Sequence, residues 1–338
     1  MLDEAALIAK ITAALPSFTE GLGIGDDAAV LQATGTLVVT TDLLLEDVDF
    51  TAATAIEHVM AKSFAANLSD VAAMGATPFA YLLTLGLTNT AIEQFDRLVA
   101  ALAAGSREFG VQLIGGDLSR SEKLLVSITA FGRFASGATP LLRSAALPGH
   151  QVFVSRPLGG ASAGLQLLRA GWTIDATSAV RPPEGSSASY SQREFARSAL
   201  LRQLSPEPEV SLGALLAKLS TTGACIDVSD GLSTDLHRIC RASRCGAVLE
   251  RERIPGFPDL AANALFLGTG DPFAAVLHGG EEFALLFTST LGESELSEIA
   301  GRRVYSIGRI VDGHSVVLQY GSQEEKLEPA GFDHFAQG

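Results

Sequence analysis

The sequence predicts an α/β protein of two domains, and three observations lead there. Its 338 residues exceed what one hydrophobic core usually serves. Helical apolar periods alternate with short β-branched runs along the chain. Between Ala135 and Gly149 the composition turns to Gly, Pro, Ser and Ala, which marks a boundary and divides the chain into 1–142 and 143–338.

Taken in order, Leu2 to Leu15 carries a helical period that stops before Pro16, and the glycine-rich turn GLGIGDDAAV follows. Leu37 to Thr41 reads as a strand with Thr40, Thr41 and Asp42 at its end. Ala61 to Gly75, AKSFAANLSDVAAMG, reads as a helix in which Ser63, Asn67 and Asp70 share one stripe with Phe64, Val71 and Met74 alongside. Further strands are expected at Phe79–Leu87, Val111–Ile114 and Leu124–Phe134, with an amphipathic helix over Ala91–Phe109. The second half is expected to open with a strand at Gln151–Ser155 and a helix at Gly160–Ala170. Thr173 to Ser191, with Pro182, Pro183 and its serines, reads as an exposed insertion. A buried-type strand at Ala224–Val228 runs into Ser229-Asp230-Gly231 and a helix over Leu232–Arg244, and strands are expected at Gly246–Leu249, Phe283–Thr288 and Val304–Val311. Acidic residues thus fall at strand-to-loop junctions, where α/β folds place their sites.

A hydrophobic fraction of 47% and a mean hydropathy of +0.28 describe a packed globular chain. The net charge of −14 argues against nucleic-acid or anionic-membrane partners. Lysine is confined to Lys10, Lys62, Lys123, Lys218 and Lys326, so a phosphate substrate would rely on metals, arginines or backbone amides. Asp3 and Glu4 stand where a secretory signal needs positive charge, and no apolar run has membrane-span length, which points to the cytoplasm. Cys225, Cys240 and Cys245 form no CxxC pair and read as reduced core residues.

Asp70 on an inward stripe needs a cation, because a lone buried carboxylate is too costly. Lys62, the segment's only lysine, falls on another face of the helix. Asp27, Asp42, Asp117, Asp227 and Asp230 also lie beside Gly, Ser or Thr or at the end of an apolar run. Each alone reads as a cap or an Asx turn. Together, with no histidine or cysteine at metal spacing, they favour Mg²⁺ or Ca²⁺ over zinc. Gly160-Ala161-Ser162-Ala163-Gly164 matches the nucleophile-elbow pattern, but Arg156 to Gly159 separate it from the strand, so Ser162 falls inside a helix. Gly21, Gly23 and Gly25 give GxGxG, not the dinucleotide fingerprint.

The blocks GIGDDAAV, TTDLLLEDVDF, NLSDVAAMGATP, IGGDLSRS, LRSAALPGHQVFVS, IDVSDGLSTDL, HGGEEFALLFT and GFDHF, in this order, resemble the thiamine-monophosphate kinases. These belong with the aminoimidazole ribonucleotide synthetases, selenophosphate synthetases and a hydrogenase-maturation dehydratase. The resemblance implies an N-terminal four-stranded sheet with helices that pairs across a homodimer, a C-terminal α/β domain, and an ATP site between them. It implies several Mg²⁺ ions on Asp27, Thr40, Thr41, Asp42, Asp70, Asp117, Asp227 and Asp230, and ATP contacts from Gly116, Asp117, Arg143 and Ser229. Asp49, Glu281 and Phe332 match positions that hold thiamine monophosphate. Asp49 stands where a histidine is common, Glu282-Phe283-Ala284 replaces Asp-Tyr-Glu, and Leu118-Ser119 replaces Thr-Thr.

The implied reaction moves the γ-phosphoryl of ATP onto thiamine monophosphate, a phosphotransfer with a phosphate as acceptor. A phosphate monoester has its second pKa near about 6, so the attacking oxygen is already anionic at neutral pH and no general base is expected. The remaining task is positioning and charge neutralisation. The alternatives are an aminoimidazole ribonucleotide synthetase-like enzyme or a non-catalytic thiamine-phosphate binding protein. Selenophosphate synthetase is disfavoured by the lack of cysteine or lysine in the glycine-rich turn, and the hydrogenase-maturation relative by the closing Phe335-Ala336-Gln337-Gly338.

Overall fold

The computed structural model describes residues 4–24, 28–31, 35–268 and 270–332. Two sheets organise it. In the first, β1 (Leu37–Leu45), β2 (Thr77–Leu87), β3 (Gln112–Arg120) and β4 (Leu125–Arg133) lie in the order β1-β4-β2-β3. Only β2 and β3 run parallel, as their connection through a helix requires. Helices α1 (Glu4–Ala14), α2 (Ile56–Ala73) and α3 (Phe95–Phe109) accompany this sheet. The inner face of the sheet supplies Leu83, Leu85, Val126 and Ile128, which pack with Phe64, Leu68, Leu98 and Leu102 of the helices. Gly110 ends α3 in the left-handed region, at φ 65°.

Among the described residues the second sheet has seven strands. These are β5 (Gln151–Val154), β6 (Thr222–Asp227), β7 (Gly246–Glu250), β8 (Leu285–Ser289), β9 (Tyr305–Val311), β10 (Val316–Tyr320) and β11 (Gln323–Lys326), ordered β6-β8-β5-β9-β7-β10-β11. One face carries the larger core with α4 (Gly160–Arg169), α5 (Tyr190–Leu204) and α7 (Leu232–Ser243). The other face turns Phe153 and Phe287, stacked at 5.2 Å, toward α6 (Val210–Leu216). There a third apolar cluster includes Ala72 and Ala73 of α2, so this helix belongs to both halves of the molecule. A Cβ on Gly213 would lie 2.0 Å from the Ala72 carbonyl oxygen, which shows how closely α6 and α2 approach.

Several elements differ from the sequence expectation. β1 runs on to Leu45 and β3 to Arg120, so Asp42 and Asp117 sit within strands and not at their ends. Both are edge strands, where polar side chains can face out without loss. The helix expected over 91–109 is broken at Gln94 into Asn89–Glu93 and α3. The 173–191 segment folds as a two-strand hairpin, Thr173–Ile174 with Val180–Arg181, that ends in the Ser189 capping box of α5. Ser162 lies in the first turn of α4, as the sequence required. Among the described residues no helix is long and apolar enough to cross a membrane.

Candidate active site

A cleft of about 620 Å³ runs between the two halves. From the first half Asp42, Asp49, Lys62 and Asp70 line it; from the second, Asp227, Ser229, Asp230 and Glu281, with Phe332 at its rim. Asp42 is held in register by Asn67, whose side-chain oxygen accepts from the Asp42 N–H at 2.9 Å. Asn67 donates in turn to the Ser63 carbonyl, and Ser63 to that of Val59. The stripe expected to face the site, Ser63, Asn67 and Asp70, therefore divides. Ser63 and Asn67 seal the seam between helix and strand, while Lys62, Ala66 and Asp70, four residues apart, face the cleft. Lys62, expected on a different face, lines the same cavity as Asp70.

Thr40 donates its hydroxyl to Asp70. Across the cleft Asp227, at the end of β6, accepts from Ser69 at 2.7 Å. Consecutive residues of α2 thus address the two walls. Burial, and then Asp70, push the Asp227 carboxyl up to about 7; burial, Asp70 and Asp49 push Asp42 up to about 6. Carboxylates that resist ionisation in one cleft are a site short of positive charge. Arg238 relieves part of the shortage by pairing with Asp230 and, at 2.6 Å, with Asp235. Among the described residues no three His, Cys, Asp or Glu side chains surround one point.

The remaining expected residues are dispersed. Asp27 lies outside the described residues. Thr41 points to the opposite face of β1, where its hydroxyl donates to the Ile128 carbonyl at 3.1 Å and accepts from Thr129 at 3.0 Å. Gly116 and Asp117 are exposed on β3 and line a second cavity of about 760 Å³ with Ile8, Ile11, Gly23 and Ile24. β3 is three strands from β1, about 14 Å across the sheet. Arg143 is exposed on a short 3₁₀ turn and lines neither cavity; its carbonyl accepts from Ser243. Neither Thr41, Asp117, Gly116 nor Arg143 therefore joins the cleft within one chain.

Asp49, Glu281 and Phe332, grouped by the resemblance, do line one cleft. Asp49 accepts from the Leu45 N–H at 2.8 Å across its own turn. Glu281 occupies a left-handed conformation, φ 61°, after Gly279-Gly280. Phe332 is placed when its N–H bonds the Asp230 carbonyl at 3.0 Å and Gly331 bonds the Thr234 hydroxyl. Glu282 has a separate duty: fully buried, it accepts from the N–H groups of Gly159 and Ala161 and caps α4 from a distance. Burial lifts its carboxyl to about 7. Sequence reasoning missed Ser69 and Arg238 and set Lys62 aside; the side-chain partners of Lys62 and Ser69 lie on other elements, and Arg238, three residues after Asp235 in α7, offered the one local signal.

The chain matches the AIR synthase related protein family, its N-terminal domain over residues 25–134 and its C-terminal domain over 177–321. It is 32% identical to the thiamine-monophosphate kinase of Rhodopirellula baltica, over 93% of this chain and 91% of that one. The solved thiamine-monophosphate kinase of Stenotrophomonas maltophilia superposes with a TM-score of 0.78 at 33% identity, covering 94% of this chain and 97% of the other. A further solved chain, AaThiL complexed with AMPPCP and TMP, gives a TM-score of 0.74 at 27% identity, over 98% of this chain and 97% of its own.

Proposed function

The chain belongs to the thiamine-monophosphate kinase family, and from that premise we propose that its cleft transfers the γ-phosphoryl of ATP to thiamine monophosphate in one in-line step. The observation that carries the reading is the pair of carboxylate walls, Asp42 and Asp70 opposite Asp227 and Asp230, with two carboxyls lifted by burial and mutual repulsion. Magnesium bound there would draw charge from the phosphoryl oxygens and let two anions approach. The chain's own residues do the rest. Thr40 and Ser69 orient Asp70 and Asp227, Asn67 fixes Asp42, and Arg238 holds Asp230. Asp49 and Phe332 offer the acceptor's cationic thiazolium ring a carboxylate and an aromatic face, and Glu281, its charge met by Lys62, completes the wall on the acceptor's side. No side chain needs to take a proton from an acceptor that is already ionised.

The homodimer belongs to the same proposal. The outer face of the first sheet exposes Val39 and Leu43, 56% and 50% accessible, beside half-buried Leu82 and Phe131. We propose that a second copy covers it in a two-fold arrangement, with β3 of one chain over β1 of the other. Asp117 would then reach its partner's cleft, which accounts for its distance from Asp42 within a chain. We place the two domains at 1–142 and 143–338 and the protein in the cytoplasm.

The test is thiamine diphosphate formation from thiamine monophosphate and Mg·ATP by purified protein, with and without EDTA. Metal-dependent product is expected. Bound ATP without product would return the site to a purine-type substrate or to plain ligand binding, and a phosphorylated enzyme trapped after ATP alone would overturn the single step.

A further inference from the structure

Lys62 is the only buried lysine among the described residues, 2% exposed, and it lines the cleft. Its Nζ donates to Glu281 at 2.6 Å and to the main-chain oxygen of Asp49 at 2.9 Å. Glu281 comes from the second half and Asp49 from the turn after β1, so one ammonium joins the halves at one end of the cleft. The other Glu281 oxygen accepts from Gln203 of α5. The turn that presents Glu281 is strained: Glu281 at φ 61° and Phe283 at φ 46° flank Glu282, and neither is glycine. Such conformations persist where surrounding contacts over-determine them, and they cluster at functional sites. Here the contacts are the Lys62 pair, the Gln203 bond, the Glu281 N–H on the Ser229 carbonyl at 2.7 Å, and Glu282 capping α4.

We propose that Lys62 is a positioning residue for the phosphate acceptor, holding Glu281 and the Asp49 turn as one wall and cancelling the charge of Glu281. The proposal rests on the acceptor reading above. Without the ammonium, Glu281 would stand as an uncompensated anion on a wall that must admit a phosphate monoester, and its turn would lose its tie to the first half.

The test uses the full chain as wild type, Lys62→Met, Glu281→Gln and the double variant. Calorimetric affinity for thiamine monophosphate without ATP, KM for both substrates, kcat and the melting temperature are measured. Lys62→Met is expected to weaken thiamine monophosphate binding and raise its KM at least about tenfold, with KM for ATP within about twofold. The double variant is expected to be no worse than the poorer single, because both changes break one contact. Unchanged affinity in Lys62→Met, or fold-changes that multiply in the double variant, would overturn the proposal, and a loss of melting temperature alone would reduce Lys62 to a structural tie. If Lys62→Met does not fold, Lys62→Arg keeps the charge with altered reach and is expected to shift only the acceptor KM; no shift there overturns the role. Wild-type protein that neither binds nor phosphorylates thiamine monophosphate would remove the acceptor reading itself, an outcome distinct from a silent Lys62 variant.

Discussion

Replacing Asp227 by asparagine should make the metal-free protein more stable while ending its activity. Asp227 is almost fully buried, and its carboxyl is lifted from 3.8 to about 7 by burial and by Asp70. The native state therefore holds a proton that the unfolded chain has already released. The stability associated with that proton is complete below about pH 4 and disappears as pH rises through about 7. A shift of about three units corresponds to about 4 kcal/mol at most. An amide of the same shape still accepts from Ser69 and never ionises. In EDTA at pH 8 we expect Asp227→Asn to exceed wild type by about 2 to 4 kcal/mol in urea unfolding, and the gap to close by pH 4. Thiamine diphosphate formation should be lost in the same protein. An Asp227→Asn variant less stable than wild type at pH 8 would refute the claim that ionising this buried carboxyl, beside Asp70, costs the fold stability.

Asp70→Asn should lower Mg²⁺-dependent turnover at least about a hundredfold with an unchanged far-ultraviolet circular dichroism spectrum; normal turnover would remove Asp70 from the site. Gly213→Ala should cost about 2 to 3 kcal/mol in urea unfolding, since its Cβ meets backbone of α2 and not a side chain that can swing away. Asp42→Asn and Asp117→Asn should each be inactive alone, yet subunits mixed after unfolding and refolding should recover about a quarter of wild-type activity, because half the dimers carry one intact site. Recovery of nothing on mixing would place both residues in the cleft of a single chain or separate them entirely.

The strands were legible because their apolar alternation is strong where one face is buried, as in Leu125–Arg133. Their ends were not, because an edge strand tolerates Thr-Thr-Asp on the same footing as a loop does. The parity of a strand decides which side chain meets the cleft: Thr40 and Asp42 face α2 while Thr41 faces away, and no feature of the tripeptide distinguishes them. In α2 the polar stripe of Ser63, Asn67 and Asp70 drew attention, yet a buried serine and asparagine can satisfy themselves on backbone carbonyls of their own helix. Lys62 was set on another face from Asp70, because its counter-ion, Glu281, is remote in sequence and sits on the other half. The ordered blocks named candidate residues, of which Asp42, Asp49, Asp70, Asp227, Ser229, Asp230, Glu281 and Phe332 line one cleft, and left open which of them a single chain can assemble.

The carboxylates of the cleft are divided between two bodies, Asp42 and Asp70 on one and Asp227 and Asp230 on the other. Like charges so divided act as a compressed spring across the joint, opposed by the Ala72–Leu212 packing and by the ties of His58 to Ser205 and of Lys62 to Glu281. The force is strongest when the cleft is empty and would fall with a cation between the walls. Whatever brings positive charge between the walls therefore draws the two bodies together as well as filling the space between them.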